Sequence, residues 1–444
     1  MVAPPPTRAL PAAILNVGDE LLAGDVINTN AAFFGRRARE LGFSVLEARI
    51  VRDRVEEIVA SISDLSRLVR VCWVSGGLGP TSDDLTTEAF ARAAGVPLVR
   101  DEGALTRLEE KFRRFRRPMA EANKKQADFP HGARLLANPI GTAEGFALSI
   151  GACRFFVMPG VPRELELMMR EQVEPELRAD FPFAPVLRRI YRVIGRGESS
   201  VAEALAPLWR SLPQRSAGLG AAFIHYRATN PEVQIIVEAT PSDTGELASE
   251  DELGSLDTEI ERLLHPALFG IGSASLAARV LAALQRAGLR VCTAESCTGG
   301  GIGQRLATVP GASQSFLGGI IAYDDAVKMR QLGVPGPMLA QHGAVSESVA
   351  RAMAEGARAA TGADLSVAVT GIAGPTGGSL EKPVGTVHVA VSDAEGTVHE
   401  RLLLRGDRGT VQQSTEQWAL KLLWDRLHAR GLAAIEEAHA PSPS

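Results

Sequence analysis

Val291-Cys-Thr-Ala-Glu-Ser-Cys-Thr-Gly-Gly-Gly301 is a short apolar run that breaks into serine, threonine and glycine. The spacing predicts a strand over Leu289–Thr293, a loop, and a helix over Ile302–Val309. That order brings hydroxyls and the unpaired N–H groups of a helix start to one spot, an arrangement that holds a phosphate or carboxylate. Just downstream lie Pro310-Gly-Ala-Ser313, Tyr323 and Lys328, hydroxyls and one amine with no histidine among them. The set points to a nucleotide-handling hydrolase that activates a serine without histidine.

The surrounding pattern is α/β. Leu276, Val280, Leu281 and Leu284 form a helical stripe ended by Gly288. Gly318–Ala322 and Leu365–Thr370 read as strands, Ser346–Ala360 as a helix, and Thr386–Val391 with Val398–Leu404 as a hairpin. Thr410–Leu427 is a last amphipathic helix, and the Ala/Pro/Ser tail of 431–444 is expected to be disordered. A second alternation fills the front of the chain: strand Ala12–Val17, helix Ala31–Leu41 capped by Asn30, strand Ser44–Val51, helix Val55–Leu68 and strand Arg70–Ser75. Alternation of this kind implies right-handed βαβ units, a mostly parallel sheet, and ligands at the carboxyl ends of its strands. After a helix over Pro162–Leu177 and Pro182 the texture changes. Arg188–Ile194, Ser199–Trp209, Phe223–Ala228, Val233–Ala239 and Glu252–Leu264 give a small βαββα unit without candidate chemistry, by default a spacer or dimerisation element.

Composition sets limits. The chain has 444 residues, room for about three domains at ~150 residues each. Charged residues are 22%, and no apolar run approaches the ~18 residues of a membrane span, so a soluble protein is expected. A formal charge of −5 gives no global attraction to nucleic acid. The one basic cluster, Lys111-Phe-Arg-Arg-Phe-Arg-Arg117, reads as the solvated face of a helix whose apolar stripe is Leu105, Leu108, Phe112 and Phe115. Residues 1–13 read as a proline-rich unstructured lead-in and not as a signal peptide. Four cysteines without C-x-x-C spacing form no disulfide framework, which suits a reduced cytoplasmic setting.

In the front half, Ser75-Gly-Gly-Leu-Gly-Pro-Thr-Ser-Asp-Asp-Leu85 puts glycines at a strand end, where backbone approaches a phosphate closely. Asp83 and Asp84 offer hard oxygens to a divalent cation bridging such phosphates. Glu20, Asn28 and Asn30 lie at the end of another strand, and Asn138–Ala143 and Pro159–Pro162 supply further loops to the same cleft. In the C-terminal half a serine needs a base, and a desolvated lysine with a tyrosine relay serves. His342 and His388 are alternative bases. Cys297 is a rival nucleophile, since a helix N-terminus depresses a thiol pKa.

The motifs Gly18-Asp-Glu-Leu-Leu22, Gly76-Gly-Leu-Gly-Pro-Thr-Ser-Asp-Asp84, Asn138-Pro-Ile-Gly-Thr142, Pro159-Gly-Val-Pro162, Thr293-Ala-Glu-Ser-Cys-Thr-Gly-Gly300, Thr370-Gly-Ile-Ala-Gly-Pro375 and Lys382-Pro-Val-Gly385 resemble those of the CinA family (competence/damage-inducible protein A), in the family's order from about Ala13 to Leu427. The resemblance implies two αβα-type domains joined by a small α+β KH-like domain. These are a molybdopterin-binding-like domain over 1–171 with metal-dependent ADP-ribose hydrolysis, the linker over 172–272, and an amidohydrolase over 273–430 that converts nicotinamide mononucleotide to nicotinate mononucleotide and ammonia. It further implies Ser313 as nucleophile with Tyr323 and Lys328 as activating pair, and substrate contacts from Glu295, Ser296, Thr298, Gly299, Gly300, Thr370 and Gly371. Arg408, with Arg405 as fallback, would hold the phosphate. In the front domain it implies ligand contacts from Glu20, Asn28, Asn30, Gly76, Gly77, Gly79 and Thr81, and a divalent metal on Asp83 and Asp84. No metal is expected for the deamidase, and a homodimer is. The segment Ala217–Arg227 departs from the family pattern, and a nucleotide-binding adaptor without turnover, linked to competence or DNA damage, is the alternative.

Overall fold

The computed structural model describes residues 10–181, 187–220, 222–239 and 248–435. They fall into two compact units, one ending at 181 and the other beginning at 187. No helix among the described residues is long and apolar enough to cross a membrane.

The first unit is built on a six-stranded sheet of β1 (Leu10–Val17), β2 (Phe43–Val51), β3 (Val71–Ser75), β4 (Arg134–Leu136), β5 (Gly145–Ile150) and β6 (Cys153–Met158), in the order β2-β1-β3-β6-β5-β4. The four strands from β2 to β6 run parallel, and β5 and β4 are antiparallel. β3 is buried at every position and sends alternate side chains to the two faces, as strand geometry requires. Cys72 and Val74 meet Ile58, Ile62 and Leu65 of α3 (Val55–Leu68), while Val71 and Trp73 meet Phe34 of α2 (Thr29–Glu40) and Leu165 of α4 (Pro162–Met168). Both faces are thus covered, and the strand ends carry the polar loops.

Sequence and structure differ in instructive places here. Leu10–Ala13, expected in the unstructured lead-in, belongs to β1, because Ala12 and Ala13 are fully buried beside β2 and β3; residues 1–9 lie outside the described residues. Asn28, not Asn30, caps α2 by accepting from the Ala31 amide at 2.9 Å. The expected helix Pro162–Leu177 is interrupted by a π turn at Met169–Val173 before resuming over Glu174–Asp180. In the basic cluster, Phe115 follows the helix Glu102–Arg114 and is exposed, and Lys111 lies 4.0 Å from Glu144, which also pairs with Arg107 one turn earlier.

The second unit holds two sheets. Four antiparallel strands, β7 (Leu187–Ile194), β8 (Phe223–Thr229), β9 (Glu232–Ala239) and β10 (Leu268–Ile271), lie in the order β8-β9-β7-β10 and pack on α5 (Glu198–Arg215) and α6 (Glu250–Leu264). The short β10 had no sequence signal of its own. Five strands form the other sheet: β11 (Val291–Glu295), β12 (Phe316–Ile321), β13 (Leu365–Gly371), β14 (Thr386–Asp393) and β15 (Gly396–Leu403), ordered β12-β11-β13-β14-β15. On one face lie α7 (Leu276–Ala287), α8 (Gly301–Ala307) and α11 (Arg408–Ala429); on the other lie α9 (Asp325–Leu332) and α10 (Glu347–Thr361). α11 also touches the first of these sheets' loops, since Lys421 donates to the Pro266 carbonyl and Asn230 donates to Ser414. The tail expected to be disordered from residue 431 is packed as far as Ile435, which is 5% exposed, because Ala433 and Ile435 are apolar enough to close the cores below α11; 436–444 lie outside the described residues.

Candidate functional sites at two sets of strand ends

In the first unit the carboxyl ends of β1 and β3 frame a cleft of about 420 Å³. Glu20, Asn28, Asn30, Gly76, Gly77, Gly79, Asp83 and Asp84 all line it, as the sequence led one to expect. Gly76 is obligatory: its φ is 102°, and a Cβ there would sit 2.1 Å from the Val17 carbonyl. Thr81 does not reach the cleft. Its amide donates to Asp84 Oδ2 at 2.8 Å and its hydroxyl does so too, so it fixes the aspartate. An amide and hydroxyl network, Asn28 to Asn16 to Ser75 to Asn30, braces the strand ends, and Asn30 also donates to the Gly160 carbonyl at 2.8 Å.

Sequence reasoning missed Asp53, Glu164, Asn16 and Ser75. Asn16 had a signal, a lone amide inside an apolar strand, and Asp53 had another, a carboxylate just after β2. Asp53 is held by the Asp19 amide at 3.0 Å. Its carboxyl lies above the ordinary range through burial, with Glu20, Asp19 and Asp83 adding negative field. The side chain of Thr81 beside it and the local backbone hold Asp83 below that range. The lining thus has Glu20, Asp53, Asp83, Asp84 and Glu164 and, among the described residues, no lysine, arginine or histidine. A bare diphosphate would be repelled there, and a divalent cation removes the conflict. No three His, Cys, Asp or Glu among the described residues are grouped to hold a metal by themselves. The donor set therefore fits an ion taking one or two carboxylates and the rest from phosphates and water.

In the second unit a pocket of about 200 Å³ opens at the carboxyl ends of β11 and β13. Ser296, Cys297, Tyr323, Asp325, Lys328, Ala344, Val345, Thr370, Gly371, Ala373 and Arg408 line it. Lys328 is 1% exposed; its Nζ donates to the Tyr323 carbonyl at 2.9 Å and to Asp325 Oδ1 at 3.1 Å. Arg408, at the start of α11, donates to the Tyr323 hydroxyl at 2.8 Å and to the Gly374 carbonyl at 2.9 Å. Arg405 does not line the pocket, so Arg408 is the guanidinium of this site.

Ser313 is not brought to Tyr323 and Lys328. It lies exposed in a 3-10 turn at the amino end of β12, whereas Tyr323 follows the carboxyl end. A six-residue strand at about 3.3 Å per residue separates the two by roughly 20 Å. Parallel register, Val291 with Phe316 and Glu295 with Ile321, puts Ser296 at the end where Tyr323 lies. The serine that lines the pocket is Ser296.

Glu295 is not a substrate contact either. Its carboxylate is 1% exposed and accepts from Thr298 Oγ1, Thr293 Oγ1 and the amides of Gly300, Ile302 and Gly303 at 2.7–3.1 Å. The helix start that the sequence offered to an outside anion is filled from within. Thr298 is consumed by that bond, and Gly299 and Gly300, at φ of 62° and 106°, form the turn and do not line the pocket. Thr370 and Gly371 do line it, although the Thr370 hydroxyl is bonded to the Ala344 carbonyl at 2.8 Å. Burial pushes the Cys297 thiol up to about 12, so it stays protonated. His342 and His388 do not line the pocket; His388 faces His399 at 2.9 Å.

Comparison with known proteins agrees with both halves. Residues 273–427 match the family model described as CinA C-terminal domain, and residues 13–179 match that of a probable molybdopterin binding domain. A CinA-like protein of Geobacter sp. (strain M21) is 42% identical over 94% of this chain and 98% of its own length. The chain belongs to the CinA family. A CinA-like protein of Parasynechococcus marenigrum is 41% identical over 95% of this chain and 98% of its own. Among solved structures, the protein CinA with unknown function from Thermoplasma acidophilum covers 38% of this chain and 98% of its own, at 34% identity and a TM-score of 0.36. Its front domain, over residues 13–179, is of the molybdopterin-binding-like type.

Proposed function

We propose that this CinA protein is an amidohydrolase that converts nicotinamide mononucleotide to nicotinate mononucleotide and ammonia, with Ser296 as nucleophile. The observation that carries it is that Ser296, the buried Lys328 and Tyr323 line one pocket. At about 200 Å³ the pocket is smaller than the roughly 300–1,000 Å³ of a drug-sized site. It suits an aromatic amide head, with ribose and phosphate extending past Arg408 at its rim.

The chemistry follows from the groups present. Ser296 Oγ bonds to the carboxamide carbon as its proton passes, by way of Tyr323, to the amine of Lys328. The carbon–nitrogen bond breaks as the ammonium of Lys328 returns a proton to the departing nitrogen, which leaves as ammonia. A water then attacks the acyl ester, giving up a proton to Lys328; Ser296 recovers that proton as the ester carbon–oxygen bond breaks, and the carboxylic acid released gives its remaining proton to solvent. Cys297 takes no part, because a protonated thiol is a poor nucleophile.

For the front cleft we propose hydrolysis of ADP-ribose to AMP and ribose 5-phosphate. Asp83, with Asp84, would hold a divalent ion that neutralises the diphosphate and polarises it for water attack. Gly76, Gly77 and Gly79 let backbone approach the phosphates, and Asn28 and Asn30 fix the walls.

The test is ammonia release from nicotinamide mononucleotide by the wild type and by Ser296→Ala, Ser313→Ala and Lys328→Ala. Loss of turnover in the first and third, with Ser313→Ala active, is expected. Full activity of Ser296→Ala refutes the assignment. Binding of the mononucleotide without turnover by the wild type would favour the alternative of a non-catalytic nucleotide-binding adaptor.

A further inference from the structure

Asp325 has no part in the reaction as written above, yet it is the carboxylate that lines the same pocket. It occupies the first turn of α9, one residue past the cap Asp324, and Lys328 follows three residues later on the same helical face. The two side chains differ sharply in exposure: Lys328 is 1% exposed and Asp325 is 55% exposed. The buried amine therefore borders the pocket beside a half-exposed anion. A second acceptor, the Tyr323 carbonyl, fixes the amine from the side of the phenol.

Resting on the Ser296–Lys328 reading, we propose that Asp325 is a positioning residue for the general base, balancing the charge of Lys328 while that amine carries the serine's proton. Two features support this role over a purely structural one. Asp325 does not cap its helix, since the Asp324 side chain already accepts from the Ala326 amide at 2.8 Å. And no other carboxylate lines the pocket among the described residues, so the ammonium that Lys328 becomes between serine attack and loss of ammonia has this one counter-charge there, beside the guanidinium of Arg408. No proton changes hands between the two groups. The carboxylate makes the proton-loaded state of the amine cheaper to reach, and it holds Nζ against the Tyr323 carbonyl between turns of the cycle.

The role has a signature in the pH profile of kcat/KM for ammonia release from nicotinamide mononucleotide. In Asp325→Asn, which keeps shape and loses charge, the acid limb moves to lower pH by about half a unit, a size set by the exposure of the carboxylate. The alkaline plateau falls by up to about threefold, since the base loses strength. Asp325→Glu restores both. An acid limb for Asp325→Asn that superimposes on the wild type, whatever the plateau, overturns the proposal, because a packing role lowers activity at every pH alike. Lys328→Ala run beside it separates the two readings. If that variant is inert while the Asp325→Asn limb is unmoved, the role of Asp325 alone falls; if it turns over normally, the amine is not the base and both readings fall.

Discussion

Replacing Glu295 by alanine should cost the C-terminal sheet a large share of its stability, and the amount can be worked from the bonds the carboxylate makes. Five donors point at it, three of them amides at the start of α8, and the side chain is almost wholly buried. Each buried donor left without a partner costs about 1–3 kcal/mol. Loss of a negative charge at a helix start adds about 0.3–1 kcal/mol. The plain sum overshoots, because water enters the vacated space and the two hydroxyls rotate to new acceptors, so a net loss of about 3–5 kcal/mol is expected. Urea unfolding of the full chain, followed through Trp418 and Trp424 of α11, reads it as a lower midpoint of that transition. Glu295→Gln should lose roughly half as much, since one acceptor oxygen survives while the new NH2 faces amide donors. Amide cleavage should fall in both, as the loop bearing Ser296 loosens. A change below about 1 kcal/mol for Glu295→Ala would refute the reasoning and reopen the helix start to an outside anion.

Three further outcomes follow. Iodoacetamide at pH 8 should leave all four cysteines of the folded chain unmodified, because Cys72, Cys153, Cys292 and Cys297 are buried and the Cys297 thiol lies near 12, and Cys297→Ala should keep amide cleavage; rapid labelling of Cys297 would contradict this. Burial beside His399 pushes His388 down to about 4, so the folded chain binds fewer protons than the unfolded one below about pH 6.5, and stability should fall as pH drops from there towards 4, by at most about 1.4 kcal/mol per unit, a slope that His388→Gln reduces in urea titrations. Asp393 is enclosed and raised by burial, but Arg426 at 2.7–2.8 Å outweighs this and holds it below the ordinary range; Asp393→Asn should cost about 3–5 kcal/mol at pH 7, and the wild-type contribution should vanish as pH falls below about 4, both read by denaturant midpoints.

What the chain disclosed by itself was the part governed by periodicity. β3 reads as a buried strand because Val71-Cys-Trp-Val-Ser75 has no polar alternation, and the hairpin of β14 and β15 reads from its β-branched residues. The front cleft was legible because most of its loops follow strands, so strand-end position gathers Glu20, Asn28 and Asp83, while Gln126 enters from a 3-10 turn. The C-terminal pocket was half legible for the same reason: Ser296 and Tyr323 sit just past strand ends, Thr370 is the last residue but one of β13, and Lys328 lies in the helix that follows Tyr323. Ser313 misled because it precedes β12, and the few residues between it and Tyr323 hide the length of an extended strand. Glu295 misled in another way. A carboxylate ending a strand before a glycine loop looks like a ligand, and only coordinates reveal that the chain turns back over it. β10 and the ordered Leu432–Ile435 were invisible because four or five residues are too few to show a period.

The helix α11 is one rod of 22 residues, about 33 Å long at 1.5 Å per residue. Its tip carries Arg408 to the phenol of Tyr323, its flank closes one face of the five-stranded sheet, and its far half is tied through Lys421 to the loop before β10. Such a rod tolerates substitution along its wet side but not a change of length. One residue inserted between Arg408 and Lys421 would swing one end about 100° against the other, so that either the guanidinium or the lysine loses its address. Insertions compatible with activity should therefore be found beyond Ala429 and not within the rod.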